Sequence, residues 1–325
     1  MKITVILCTY NRCRSLARAL SSAAALNMPD SVEWEVLVVD NNSRDDTRKV
    51  VEEFERRYRG RFRYLFEPKS GKSHALNSGI RESRADIVAF MDDDVTVHPD
   101  WLQNLTAALK DEAWAGAGGR ILAQWTTSPP RWLTLDGPEA PLFVAVLAMF
   151  DQGPESGPLN EPPFGTNMAF RKSLFERYGG FRADLGPRPD NEMRSEDTEF
   201  GRRLLTAGER LRYEPSAVVY HPVAEQRIRK NYFLNWYFDK GRADVLEFGV
   251  PNGVRVFGRI PLHLFRRVLA CTVRWMLAVH PRRRFFYKLQ VWLLLGEISE
   301  SYRQSQPISQ SVLPKVTQPE HPYEL

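Results

Sequence analysis

Cysteine is nearly absent from these 325 residues: there are three, Cys8, Cys13 and Cys271. None forms a CxxC pair or stands at zinc-ligand spacing from a histidine, so neither a disulfide framework nor a zinc site is expected. A reducing compartment follows, with the cytosol as the default. Uncharged apolar runs of about 18 residues, the minimum for a membrane-spanning helix, are also missing. The longest candidates are broken by Arg266, Arg267, Arg274 and Arg282-Arg283-Arg284. The apolar start, Ile3 to Leu7, gives way to Thr9-Tyr10-Asn11-Arg12 too early for the core of a signal peptide and reads as a buried first strand. Finally, Cys8-Thr9-Tyr10-Asn11-Arg12-Cys13 contains no GxGxxG, which argues against a nicotinamide or flavin enzyme. The same turn lacks the glycine-rich basic loop of a nucleotidyltransferase, and no Ser/His/Asp or Cys/His arrangement supports a covalent mechanism.

What is present is ordinary globular composition, 43% hydrophobic and 26% charged, enough chain for one large or two modest domains. The net charge of +5 is unevenly spread. Residues 221–305 hold 15 Lys/Arg against 6 Asp/Glu, a balance of +9, so the remainder is net acidic. That basic segment is interleaved with Trp236, Trp275, Phe285, Phe286, Tyr287 and Trp292. It suits an anionic membrane surface, RNA or an acidic partner, and equally the solvated face of helices over a small core.

Apolar β-branched runs alternate with helical periodicity. Strands are expected at 3–8, 34–39, 62–66 and 87–91, and helices at 14–26, 46–58 and 73–83. The near-continuous hydrophobicity of the strands implies cover on both faces, hence a parallel, doubly wound α/β half. Pro99-Asp100 opens a further helix. The Pro/Gly-rich stretch 125–165 reads as a long irregular connection. Beyond it come a strand at 166–170, a helix at 198–207 and strands near 211–220. From about 225 the pattern turns helical and basic, and the last 20 residues read as a loose tail.

Ligands of open parallel sheets sit beyond the carboxyl ends of the strands. Thr9-Tyr10-Asn11-Arg12, Asp40-Asn41-Asn42 and Asp92-Asp93-Asp94 should therefore line one crevice. Three adjacent carboxylates repel one another unless a cation or a set of donors compensates them, and a divalent metal is the economical partner. Oxygen ligands favour Mg²⁺ or Mn²⁺. A solvated turn is the alternative for the triplet, and an Asx-turn or helix cap for Asp40. Arg12 and Lys72 add cations on loops that could reach a diphosphate.

The chain resembles the family 2 glycosyltransferases of the GT-A fold, inverting enzymes that use nucleotide sugars. Five segments over residues 3–221 carry the likeness: Thr9-Tyr10-Asn11-Arg12, Val39-Asp40-Asn41-Asn42-Ser43, Gly71-Lys72-Ser73-His74-Ala75-Leu76-Asn77-Ser78-Gly79, Met91-Asp92-Asp93-Asp94, and the Ser195-Glu196-Asp197-Thr198-Glu199-Phe200 stretch. The resemblance implies a doubly wound, mostly parallel sheet. It has a Rossmann-like nucleotide-binding half at 1–94, a mixed acceptor half at 95–224, a basic helical extension at 225–305 and a tail at 306–325. It implies that Thr9, Arg12 and Asp40 contact the nucleoside, that Tyr10, Asn11, Asn42 and Lys72 complete the donor site, and that Asp92 lies near the ribose. Asp93 is then the middle residue of a DxD pattern and Asp94 coordinates the metal, Mn²⁺ or Mg²⁺. Asp197 is the expected general base with Glu196 as second choice. For that pair, first-turn acids facing a helix dipole are the structural alternative. His221 is the candidate for the metal or diphosphate, and Asn167 for the acceptor.

The expected reaction moves a sugar from a nucleoside-diphosphate sugar, with UDP as the expected nucleotide, to a hydroxyl of a carbohydrate or lipid-linked acceptor, in cell-surface polysaccharide or glycolipid synthesis in bacteria. Peripheral contact with the inner membrane face through 225–305 is expected, and nucleic acid is not the expected partner. The competing reading is a membrane- or nucleic-acid-associated interaction module with a degenerate site, against which the intact acidic motifs argue.

Overall fold

The structure is a computed structural model. It describes residues 1–133, 135–137, 140–189, 193–250, 253–257 and 259–304. The expected tail at 306–325 lies outside them. The chain divides into two compact units, the first Met1–Ile228 and the second beginning at Arg229.

The first unit opens with β1 (Lys2–Thr9), α1 (Cys13–Ala24), β2 (Glu33–Asp40), α2 (Thr47–Arg57), β3 (Phe62–Phe66), α3 (Lys72–Glu82) and β4 (Ile87–Asp92). It continues through β5 (Thr96–Val97), α4 (Trp101–Ala107), β6 (Gly116–Trp125), α5 (Ala140–Val146), β7 (Gly157–Leu159) and β8 (Met168–Arg171). It closes with α6 (Ser173–Tyr178), α7 (Glu196–Thr206) and β9 (Leu211–Val223). The strands form one sheet in the order β3-β2-β1-β4-β8-β6-β9-β5, with β7 beside β9. β1 to β4 run parallel, whereas β8 is antiparallel to both β4 and β6.

β1 shows why the parallel half is hydrophobic along its whole length. Ile3, Val5 and Leu7 pack with Leu16 and Leu20 of α1, and Ile6 turns to the opposite face with Leu37, Val39 and Phe90 beneath Ala75 and Leu76 of α3. Both faces are covered, so no alternation with polar residues survives. The stretch 125–165 is more ordered than expected. It contains α5, β7 and a bridge between Ile121 and Phe150, elements of seven residues or fewer that Pro and Gly conceal in a periodicity reading. Helix α7 starts at Glu196, two residues earlier than the pattern suggested.

Where β6 meets β9 the register shifts. Gly119 pairs with Glu214 but Arg120 pairs with Val218, so Pro215, Ser216 and Ala217 bulge out. Proline cannot donate to the ladder, and the displaced carbonyls need other donors. Asn167 supplies them: its Nδ2 donates to Arg120 O and Ala217 O, both at 2.8 Å, and its Oδ1 accepts from Trp101 Nε1 at 2.8 Å.

The second unit holds α8 (Lys230–Phe248), a two-stranded ribbon of β10 (Val256–Phe257) and β11 (Ile260–Pro261), α9 (Leu262–Leu277) and α10 (Pro281–Arg303). α8 and α10 approach through glycine. A Cβ on Gly241 would stand 2.0 Å from Leu293 O, and one on Gly296 2.0 Å from Phe238 O. Because these neighbours are backbone, a methyl group can enter only if a helix moves. Gly241→Ala or Gly296→Ala is therefore expected to destabilise this unit by about 1–3 kcal/mol, the usual penalty of overpacking. Urea unfolding measures this, and an unchanged midpoint would mean that the helices separate freely.

Candidate active site

The loops after β1 and β2 are tied to each other before any ligand arrives. Asn41 N donates to Thr9 O at 2.9 Å, Asn11 N to Ser43 Oγ at 2.9 Å, and Arg44 N to Asn11 Oδ1 at 2.7 Å. Asn11 and Asn42 both take positive φ, 51° and 69°, a conformation that asparagine tolerates better than most side chains. Asp40 is buried. Its Oδ1 accepts from Ser43 N at 2.9 Å and its Oδ2 from Tyr64 OH at 2.8 Å, so it has the turn role considered for it while ending its strand at the crevice. Tyr10 lies exposed at the rim.

Asn41, a residue quoted within a motif but given no role, locks the third loop. Its Oδ1 accepts from Gly71 N at 2.8 Å and its Nδ2 donates to Lys69 O at 2.6 Å. Gly71 has φ 127°, which L side chains rarely adopt. The following residue, Lys72, then starts α3 with its side chain directed at the end of β4.

That end is Asp92-Asp93-Asp94, and each carboxylate has its own protein cation or donor. Lys72 Nζ lies 2.8 Å from Asp92 Oδ1. Arg12 Nη1 lies 3.1 Å from Asp93 Oδ1 and 3.2 Å from Asp94 Oδ2, and Thr9 Oγ1 donates to Asp93 Oδ2 at 2.7 Å. Arg227 Nη2 lies 3.1 Å from the same Asp94 oxygen. Burial opposes ionisation of Asp92, but Lys72 outweighs it and holds the carboxyl below its ordinary value. Burial pushes Asp93 up to about 6 despite Arg12. The repulsion within the triplet is thus relieved by three cations from separate parts of the chain, with Thr9 as a further donor.

Lys72 also reaches the second acidic motif, with Nζ 3.4 Å from Glu196 Oε1. Glu196 is buried, which pushes its carboxyl up to about 7 against the pull of Lys72. Asp197 is only partly buried. Its Oδ2 accepts from Gly165 N at 2.6 Å and its Oδ1 from Thr198 N at 2.7 Å, so it also has the helix-start role. Asn167, two residues beyond Gly165, does not join them. It is 0% exposed and its amide is committed to the sheet bulge, which corrects the expectation of an acceptor contact.

His221, near the end of β9, accepts a hydrogen bond at Nε2 from Arg227 Nη1 at 2.9 Å, and Nε2 stands 4.0 Å from Asp94 Oδ1. Arginine only donates, so the ring is the acceptor, and the same Nη1 also lies 3.4 Å from Nδ1. Burial, reinforced by Arg227, pushes the imidazole down to about 4, so the ring is neutral at neutral pH. Arg227 escaped the sequence reading because it sits in a basic stretch remote from any acidic motif.

Among the described residues no three Asp, Glu, His or Cys side chains converge to enclose a metal. Mg²⁺ and Mn²⁺ at a diphosphate do not need such a cage, since one or two protein ligands suffice and phosphate oxygens and water complete the shell. Asp94 and a neutral His221, already bridged by the guanidinium cation of Arg227, fit that requirement.

The sequence profile described as Glycosyl transferase family 2 matches residues 4–179, more than half of the chain. The chain belongs to glycosyl transferase family 2. The matched part of this glycosyltransferase contains the three loops and the Asp triplet but ends before Glu196, Asp197 and His221. The succinoglycan biosynthesis protein ExoM of Rhizobium meliloti (strain 1021) is 29% identical over 244 residues, 74% of this chain and 74% of ExoM. The glucosyl-dolichyl phosphate glucuronosyltransferase of Haloferax volcanii is 26% identical over 250 residues, 74% of this chain and 75% of the relative. Among solved structures, the mannosyltransferase PcManGT from Pyrobaculum calidifontis, described in complex with GDP-Man and Mn²⁺, matches with a TM-score of 0.64 at 20% identity. The match covers 93% of this chain and 87% of PcManGT. The fold of the glycosyltransferase is the expected GT-A fold, a mixed α/β sheet followed by a helical segment.

The Lys72 bridge leads to a pH-dependent prediction. Lys72→Met leaves the partly buried Asp92 and the buried Glu196 without their cation and should destabilise the nucleotide-free protein by about 3 kcal/mol near neutral pH. Glu196 has its pKa raised in the fold from an ordinary 4.5 to about 7, so its contribution to stability is full in acid and is lost as pH rises through about 7. Without Lys72 the buried carboxylate is worse off still when ionised. The deficit of the variant, measured by urea unfolding, should be larger at pH ~8 than at pH ~5; a deficit independent of pH would show that the ion pair does not carry it.

Proposed function

We propose that the protein transfers a sugar from a nucleoside-diphosphate sugar to a hydroxyl of a carbohydrate or lipid-linked acceptor, with inversion at the anomeric carbon, in the assembly of a polysaccharide or glycolipid. One observation carries this reading: Lys72 ties the Asp triplet at the strand ends to Glu196, the neighbour of Asp197, so the two acidic motifs form one connected site. Family membership and the naming of ExoM as a succinoglycan biosynthesis protein agree with it.

In this reading the loops carrying Thr9, Tyr10, Asn11, Arg12, Asp40 and Asn42 receive the nucleoside, with Asp92 beside the ribose and Asp93 as the middle residue of the DxD pattern. UDP is the proposed nucleotide; the GDP-Man named for PcManGT makes GDP the alternative to test. Asp94 and His221 would hold Mn²⁺ or Mg²⁺, which when bound supplies positive charge to the departing diphosphate. Arg12, Lys72 and Arg227 offer further cations to the same oxygens. Asp197 takes the proton of the acceptor hydroxyl as its oxygen bonds to the anomeric carbon, while the bond from that carbon to the diphosphate oxygen breaks and the nucleoside diphosphate leaves. Glu196, buried and paired with Lys72, is the second candidate for the base.

Calorimetric titration of UDP and GDP, with and without Mn²⁺, tests the donor site. Binding of one nucleotide that requires the metal and vanishes in Asp94→Ala is expected; no binding of either to the folded protein would sink the proposal. The base is tested separately. Asp197→Asn should lower the transfer rate roughly 10²–10⁴-fold, the range for losing a general base, with nucleotide affinity unchanged. If Glu196→Gln causes the larger loss in rate at unchanged affinity, the base is Glu196.

A further inference from the structure

The second unit carries a surface for which donor chemistry has no use. Helix α9 rests one side against α10, with Arg267 Nη1 3.9 Å from Glu297 Oε2 and the Trp275 ring edge-to-face with Trp292 at 6.3 Å. Its other side is apolar and open. Leu262, Phe265, Leu269, Val273 and Met276 recur at helical spacing and are all exposed, Leu269 at 67% and Met276 at 71%. Leu277 at 74% and Val279 at 96% extend the strip past the end of the helix. Large aliphatic side chains so fully in water, side by side, mark a surface built to be covered.

Charge identifies the cover. Between Glu247 and Glu297 the sequence contains nine Arg or Lys residues and not one Asp or Glu. Arg266 and Arg274 are exposed beside the apolar strip, and Arg282, Arg283 and Arg284 are exposed just beyond Val279. A second copy of this surface would bring like charges together with no acidic residue in the segment to pair with them. Nucleic acid would satisfy the arginines and leave the aliphatic strip in water. An anionic bilayer satisfies both, since acyl chains take the apolar strip and headgroups the arginines. Among the described residues no helix is long and apolar enough to cross a membrane, and α9 contains three arginines, so the helix would lie in the plane of the interface.

We propose that α9 and the Arg282-Arg283-Arg284 turn dock this protein on an anionic lipid surface, with Leu269, Met276, Leu277 and Val279 as the inserting residues. This goes beyond the transfer reaction and does not depend on it. Docking would place the protein at the surface where a lipid-linked acceptor is confined.

The test is flotation of the full chain with vesicles of phosphatidylcholine alone or with about 30% phosphatidylglycerol, at salt of about 0.1 M and about 0.5 M. The expected result is at least about tenfold stronger partitioning onto the anionic vesicles at low salt. Part of it should persist at high salt, because insertion of aliphatic side chains is not screened. The variant Leu269→Gln/Met276→Gln/Leu277→Gln, whose changes are all on exposed positions, should keep its unfolding midpoint and lose the salt-resistant part. The variant Arg282→Gln/Arg283→Gln/Arg284→Gln should lose most of the preference for anionic lipid. Absence of vesicle binding by the folded protein overturns the proposal, as does unchanged binding by both variants. So does a dimer that the first variant abolishes while vesicles fail to bind, or RNA binding in place of vesicle binding.

Discussion

Three consecutive carboxylates at the end of a buried strand set the terms for the rest of the first unit. Asp92, Asp93 and Asp94 cannot all be ionised side by side without compensation, and each is met by a different side chain: Lys72, Arg12 with Thr9, and Arg227. Those partners come from the loop after β1, the start of α3 and the segment after β9. The charge requirement of one tripeptide therefore dictates where three remote pieces of chain must be. Compensation by cations on side chains also leaves the site loaded with groups that can bind an anion.

The supporting network is as specific as the charges. Asn41 bonds Gly71 and so aims Lys72, and Asn11 bonds Arg44 and so joins the first two loops. Asn167 closes the bulge between β6 and β9 and thereby helps to set the course of β9 toward His221. Buried amides of this kind fix a backbone because each unmet carbonyl or N–H would be expensive. Arg12, by contrast, is half-exposed on a loop and faces both Asp93 and Asp94.

Much of this architecture is legible in the amino-acid order. The strands and helices of residues 2–92 fall within a residue or two of their expected bounds, because two-sided burial leaves an unmistakable hydrophobic run. The motif residues Thr9, Arg12, Lys72 and the Asp triplet do meet, and Glu196 joins them through Lys72. Asn167 was misread because an asparagine in a motif looks the same whether its amide faces a ligand or a bulge. Arg227 was invisible because one arginine among many carries no local signal. The short α5 and β7 were hidden in a Pro/Gly-rich stretch where periodicity has too few residues to show itself.

The division follows the range of the forces involved. Hydrophobic periodicity, turn chemistry and the clustering of like charges act over a few residues, so the sequence by itself determined the strand-helix alternation, the acidic strand ends and the basic, acid-free stretch before Glu297. Pairing of charges acts through space. Only the tertiary structure decided that Arg227, beside His221, would cross 133 positions to hold Asp94, that Glu196 would be buried against Lys72 with its carboxyl pushed up to about 7, and that one side of α9 would face water.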